Sequence, residues 1–166
     1  MLTRKSRLFL SLTAATPLLF AAACTDNGIF NPMSDAAGSY QLTVYAGKGL
    51  VAHYVIQPND PNYPQYQNGA TLDVVDGSLD LNTNGTYTEI NNYVITPSGQ
   101  AAVSNFFRSQ GTWAISGNDV TLSSQAENRY VTGVWTVDTI NGKETINYQE
   151  ANGTGTFDSF EYARSR

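Results

Sequence analysis

Acid–base or nucleophilic chemistry of the Ser-His-Asp kind would have to run through His53, the only histidine in 166 residues. It follows Leu50, Val51 and Ala52 at the start of an expected strand, and no Gly-x-Ser-x-Gly elbow accompanies it. A surface or rim histidine is therefore expected. Zinc would need further imidazole or thiolate ligands, which the chain does not offer. Asp80-Leu81-Asn82-Thr83-Asn84-Gly85 matches the opening of a calcium loop. Its twelfth position, however, is Asn91 and not Glu, and the flanks alternate like strands where helices are required. An Asn-Gly hairpin explains the same residues, and no metal is assigned. Paired-carboxylate hydrolysis needs two acids about 5 to 9.5 Å apart across a cleft. Glu89, Glu127, Glu144, Glu150 and Glu161 are isolated in sequence, and acids on strands of period two are expected to face water. Gly47-Lys48-Gly49 is too short to cradle phosphate and reads as a turn. No catalytic residue and no cofactor follow, and the chain is not expected to be an enzyme.

Binding chemistry is better supplied. Ten Tyr, seven Phe and two Trp can line an apolar pocket or fill a small barrel. Core filling suits Trp113, Trp135, Tyr40, Tyr87 and Phe157. Tyr54, Tyr63, Tyr66, Phe106 and Phe107, joined by Trp113 and Trp135 where the interior is a pocket, make the candidate ligand or recognition surface.

The lone cysteine, Cys24, has a different chemistry. A basic stretch from Met1 to Arg7 leads into an apolar run from Leu8 to Phe20 and then Ala21, Ala22 and Ala23, the three-part grammar of a signal peptide. Leu8 to Ala23 spans 16 residues, short of the roughly 20 a bilayer-crossing helix needs. Leu19-Phe20-Ala21-Ala22-Ala23-Cys24 resembles the bacterial lipobox, with Ala21 where Leu is usual. The resemblance implies a thiol that receives diacylglycerol, cleavage before Cys24 and acylation, palmitate included, of the new amine. Several acyl chains, at about 0.8 kcal/mol per buried CH₂, make a stable anchor. Thr25 rather than Asp follows the cysteine, which implies outer-membrane sorting in a bacterial cell envelope. The alternative is an ordinary signal peptide that leaves Cys24 as a free thiol.

Loss of Arg4, Lys5 and Arg7 leaves six cations against 14 acids, changing the formal charge from −5 to −8. Such a surface repels phosphate backbones, so no nucleic-acid partner is expected. Lys48, Arg108, Arg129, Lys143, Arg164 and Arg166 are scattered singly, and no polybasic patch serves an anionic membrane.

The positioning elements are strands. Residues 24–37 are rich in Asp, Asn, Pro, Ala and Ser and read as a lipidated tether. Residues 38–166 form one domain in which apolar residues recur at every second position, as in Tyr40, Leu42 and Val44, Leu79 and Leu81, and Trp113 and Ile115. Asp76-Gly77, Asn84-Gly85, Ser116-Gly117-Asn118-Asp119 and Asn141-Gly142 mark hairpin turns. Gln57 to Ala70, with Pro58, Pro61 and Pro64, is a loop or lid, and Thr96 to Ser109 a second candidate loop. No helix is expected in the mature chain. About nine strands predict an antiparallel up-and-down barrel, which abolishes edges; a two-sheet sandwich is the alternative.

These residues resemble the bacterial lipocalin-like lipoprotein domains. The resemblance rests on Gly38-Ser39-Tyr40-Gln41-Leu42, on Gly77-Ser78-Leu79-Asp80-Leu81-Asn82-Thr83-Asn84-Gly85-Thr86-Tyr87, on Gly111 to Asn118 and on Tyr162-Ala163-Arg164. Tyr40 stands where true lipocalins carry Trp, and their flanking helix is missing. The resemblance implies a barrel of about 8 to 10 strands, with Arg164 closing one end near Tyr40. It also implies a lipid-anchored extracytoplasmic protein that binds a small hydrophobic molecule or envelope lipid. The alternative is a filled barrel whose loops inhibit or dock another envelope protein.

Overall fold

A computed structural model describes residues 32–151 and 157–165. Cys24 and the signal segment lie outside them. A short helix, α1 (Pro32–Ala36), precedes ten strands: β1 (Gly38–Tyr45), β2 (Lys48–Gly49), β3 (Ala52–Ile56), β4 (Ala70–Leu81), β5 (Thr86–Pro97), β6 (Val103–Ser116), β7 (Asp119–Ser124), β8 (Arg129–Val137), β9 (Glu144–Ala151) and β10 (Phe157–Arg164). Each pairs antiparallel with its sequence neighbour from β3 through to β10. β10 then pairs with β1, and β1 with the second half of β4. Eight strands thus close into a barrel, with the expected meander, and the sandwich is not the arrangement.

β4 joins the ring to a flap. Its residues Ser78 to Leu81 face β1, whereas Ala70 to Val74 face β3. A bulge between Val74 and Asp76 separates the two stretches. Asp76-Gly77, expected to be a turn, lies inside this strand. Glycine is required there for space, because a Cβ on Gly77 would overlap the Asn91 side chain. Asn84-Gly85, Gly117 and Asn141-Gly142 do make the turns read from the sequence, each glycine at positive φ.

One end of the barrel is packed solid. Tyr40, Leu79, Leu81, Tyr87, Trp113, Val120, Leu122, Trp135 and Ile146 point inward at alternate positions and form one buried cluster. α1, in the stretch read as tether, plugs this end: Ala36 belongs to the cluster, and the Tyr40 hydroxyl donates to its carbonyl at 2.7 Å. The helix departs from the helix-free reading. Five residues carry too little periodicity to announce themselves, and burial against the barrel holds the turn. Arg164 stacks over the Tyr40 ring at 5.3 Å, donates to the carbonyls of Asp35 and Ala37, and pairs with Glu144.

Residues 57–69 form the Pro-rich loop between β3 and β4. By contrast, most of Thr96 to Ser109 is strand, for β5 and β6 stay paired out to Ile95 and Val103. The adjacent Phe106 and Phe107 concealed the alternation. Phe107 faces in, while Phe106 points out and is 60% exposed.

Candidate functional site

Above the packed half the barrel is hollow. The cavity measures about 520 Å³ and lies at the end opposite α1, walled by β1, β3, β4, β5, β6, β9 and β10 and roofed by the Pro-rich loop. That volume falls within the usual range for small-molecule sites. Ile56, Leu72, Val74 and Ile95 supply aliphatic wall; Tyr45, Tyr93, Phe107 and Phe160 supply aromatic wall. The loop contributes Tyr63, Gln65 and Tyr66. Its backbone is braced by successive turns, Tyr63 N to Asp60 O at 3.0 Å, Tyr66 N to Tyr63 O at 2.9 Å and Gly69 N to Tyr66 O at 2.8 Å. Three prolines exclude ladder pairing here and leave such turns as the local solution.

An aromatic column descends from mouth to floor. Tyr45 meets Phe160 edge-on at 5.2 Å, Phe160 stacks on Tyr148 at 4.7 Å, and Tyr148 stacks on Tyr162 at 6.0 Å. At the top of the column the Tyr45 hydroxyl donates to Asp158 at 2.6 Å. Burial first, then this carboxylate, raises the Tyr45 pKa above its ordinary value.

The floor is a buried polar cluster. Arg129 donates through Nη1 to Glu89 at 2.7 Å, and through Nε and Nη2 to Glu150 at 2.8 and 2.7 Å, a bidentate fork. Glu89 has no exposed surface. Its second oxygen accepts from the Tyr148 hydroxyl, from the Tyr162 hydroxyl at 2.7 Å and from Asn91 Nδ2 at 2.9 Å. The Tyr162 hydroxyl also lies 2.8 Å from Asn91 Oδ1, so its one proton is shared between the two acceptors. Four donors saturate the Glu89 carboxylate, as a buried charge requires. Burial alone would lower the Arg129 pKa; the hydrogen bonds to Glu150 and the charge of Glu89 outweigh it and raise it. Burial, joined by Glu89, lifts Tyr148 and Tyr162 well above the ordinary phenol value. Both remain neutral donors.

A second hollow of about 430 Å³ opens through the wall beside this cluster, sharing Phe107, Glu150 and Ala151 with the first. The β8–β9 ladder begins only at Gly133 opposite Tyr148, so Arg129 to Thr132 diverge from Gln149 to Ala151. Glu127 lies there, its carboxylate accepting from Ser109 at 3.0 Å.

Of the sequence candidates, Tyr63, Tyr66 and Phe107 meet at the cavity. Tyr54 stands behind the wall, packed edge-on against Tyr45 at 5.6 Å. Trp113 and Trp135 are 3% and 4% exposed in the packed half and Phe106 faces outward, so none of these three reaches the cavity. His53 lies on the outer face of β3, 2.6 Å from Asp73. Asn84 Oδ1 accepts from Thr86 N at 3.0 Å within the hairpin that carries the calcium-like sequence. Among the described residues, no three His, Cys, Asp or Glu side chains gather as metal ligands would.

The expectation that strand acids face water fails at Glu89, and Glu150 lines the cavity. Sequence reasoning assigns no site role to Glu89, Asn91, Arg129, Tyr148, Glu150, Asp158 or Tyr162. The available signal was parity: Glu89 and Asn91 lie two and four residues from inward Tyr87, Arg129 lies six from Trp135, and Glu150 four from Ile146. No family model, curated protein or solved structure matches this chain.

Proposed function

We propose that this protein is a lipid-anchored, extracytoplasmic binding protein of the lipocalin-like kind, holding a small, largely apolar molecule or envelope lipid in the open half of its barrel. One observation carries the reading. The interior beyond the buried floor is a cavity of about 520 Å³ with aliphatic and aromatic walls and a few convergent polar groups. The alternative, a filled-barrel interaction or inhibitor protein of the cell envelope, has less support, because one half of the barrel is hollow. The anchor rests on the lipobox-like residues before Cys24, and the outer-membrane location on Thr25 after it.

Native mass spectrometry of the protein gently extracted from its own membrane tests both parts. The expected mass is that of an acylated chain beginning at Cys24, plus a reproducible increment that survives washing and disappears on denaturation. A bare acylated mass would overturn the binding reading. An unacylated chain would overturn the anchor.

A further inference from the structure

We propose that the ligand of this cavity is an organic cation, an ammonium group carried on an apolar body. This deepens the binding reading and rests on it. The floor cluster holds two carboxylates, Glu89 and Glu150, on one guanidinium, Arg129, and so carries a surplus negative charge. Glu89 is fully enclosed and saturated by its donors, whereas the Glu150 side chain is 30% exposed and lines the cavity. The surplus therefore faces the hollow. Asp158 lines the same space, and its charge raises the Tyr63 and Tyr54 phenols after burial does. Among the described residues, no Lys or Arg belongs to the lining.

The walls suit a cation as well. Aromatic faces attract ammonium groups, and Tyr45, Tyr93 and Phe160 line the same cavity as Glu150, as does Phe107, whose ring already has the Arg129 guanidinium over it at 5.3 Å. Arg129 holds Glu150 bidentately, yet the cluster sets two carboxylates on that one guanidinium, and a neutral apolar ligand covering Glu150 would leave the net negative charge uncompensated, which is costly. An anion would meet repulsion at the floor. A zwitterionic lipid headgroup would bring its phosphate against the same carboxylates, so the amine is expected to arrive without one.

Four probes decide the matter by calorimetric titration of the washed, purified protein at pH 7: 2-naphthylmethylammonium, 2-naphthalenemethanol, 2-naphthoate and hexylphosphocholine. The ammonium should bind at least tenfold more tightly than the alcohol, about 1.4 kcal/mol, with naphthoate and phosphocholine weaker still. Its advantage should shrink as salt is raised. Glu150→Gln, and separately Asp158→Asn, should each narrow the ammonium-to-alcohol ratio, with unchanged near-ultraviolet circular dichroism showing that the barrel has folded. Equal binding of ammonium and alcohol, or naphthoate binding tightest, would overturn cation selection while leaving the cavity reading standing. Phosphocholine binding tightest would replace the free amine with a lipid headgroup. Binding of no probe would overturn both readings.

Discussion

At the level of single residues, Glu89 is the most demanding choice in the molecule. A carboxylate with no exposed surface persists because Arg129, Tyr148, Tyr162 and Asn91 all donate to it. Glu89→Gln keeps the shape but turns an amide N–H₂ toward one of those donors and strands the Arg129 charge from its deepest partner. Breaking one side of a buried pair costs about 3–5 kcal/mol, a large fraction of the 5–15 kcal/mol typical of a domain. Urea unfolding should register that loss, and a change below about 1 kcal/mol would show that the cluster is not the internal brace described above. Glu150→Gln, at the partly exposed, cavity-facing edge of the fork, should cost less. The sequence concealed this cluster because its three charges come from β5, β8 and β9, at separations that only a closed barrel brings to zero.

Individual elements were more legible. Alternation reports a strand when one face is dry and the other wet, and β1, β4, β8 and the second half of β6 meet that condition. The first half of β6 does not: its inner face lines a hollow and carries Asn105, while its outer face carries Phe106. Polar-in and apolar-out residues erase the period there. Turn glycines were readable from their dipeptides, but glycines inside strands answer to a different constraint. A Cβ on Gly133 would lie 2.6 Å from the Asn147 carbonyl and 2.8 Å from Tyr148 Cβ, so β8 and β9 approach closely just where the wall begins to split. Gly133→Ala should cost about 1–3 kcal/mol, the usual penalty for overpacking. Gly49→Ala, with nothing within 4 Å of the new methyl, should stay within about 0.5 kcal/mol. Thermal melts of the two variants compare them directly, and equal midpoints would refute the close-approach account.

Across the whole molecule the barrel is two bodies in series, a packed half that supplies stability and an open half that supplies space. The phenols of Tyr148 and Tyr162 lie at the junction, and both titrate well above their ordinary value of 10. A group whose pKa is raised by folding stabilises the native state below its unfolded pKa and loses that contribution as pH climbs towards the folded one. Unfolding free energy should therefore fall above pH 10, by about 1.4 kcal/mol per pH unit for each tyrosine. Tyr148→Phe/Tyr162→Phe should lessen the slope without abolishing it, since burial also raises Tyr40 and Tyr45. Stability that holds level to pH 11 in the parent protein would contradict the burial. The plug at α1 also gives the molecule a direction. The chain enters the barrel at the solid end, and the eight Cα-to-Cα steps from Cys24 to Pro32 can reach no farther than about 29 Å when extended. An acyl anchor at Cys24 would tether the stoppered end beside the bilayer and leave the mouth pointing away from it. A ligand, an envelope lipid included, would then have to reach the mouth through the aqueous compartment, with the membrane acting as a mooring.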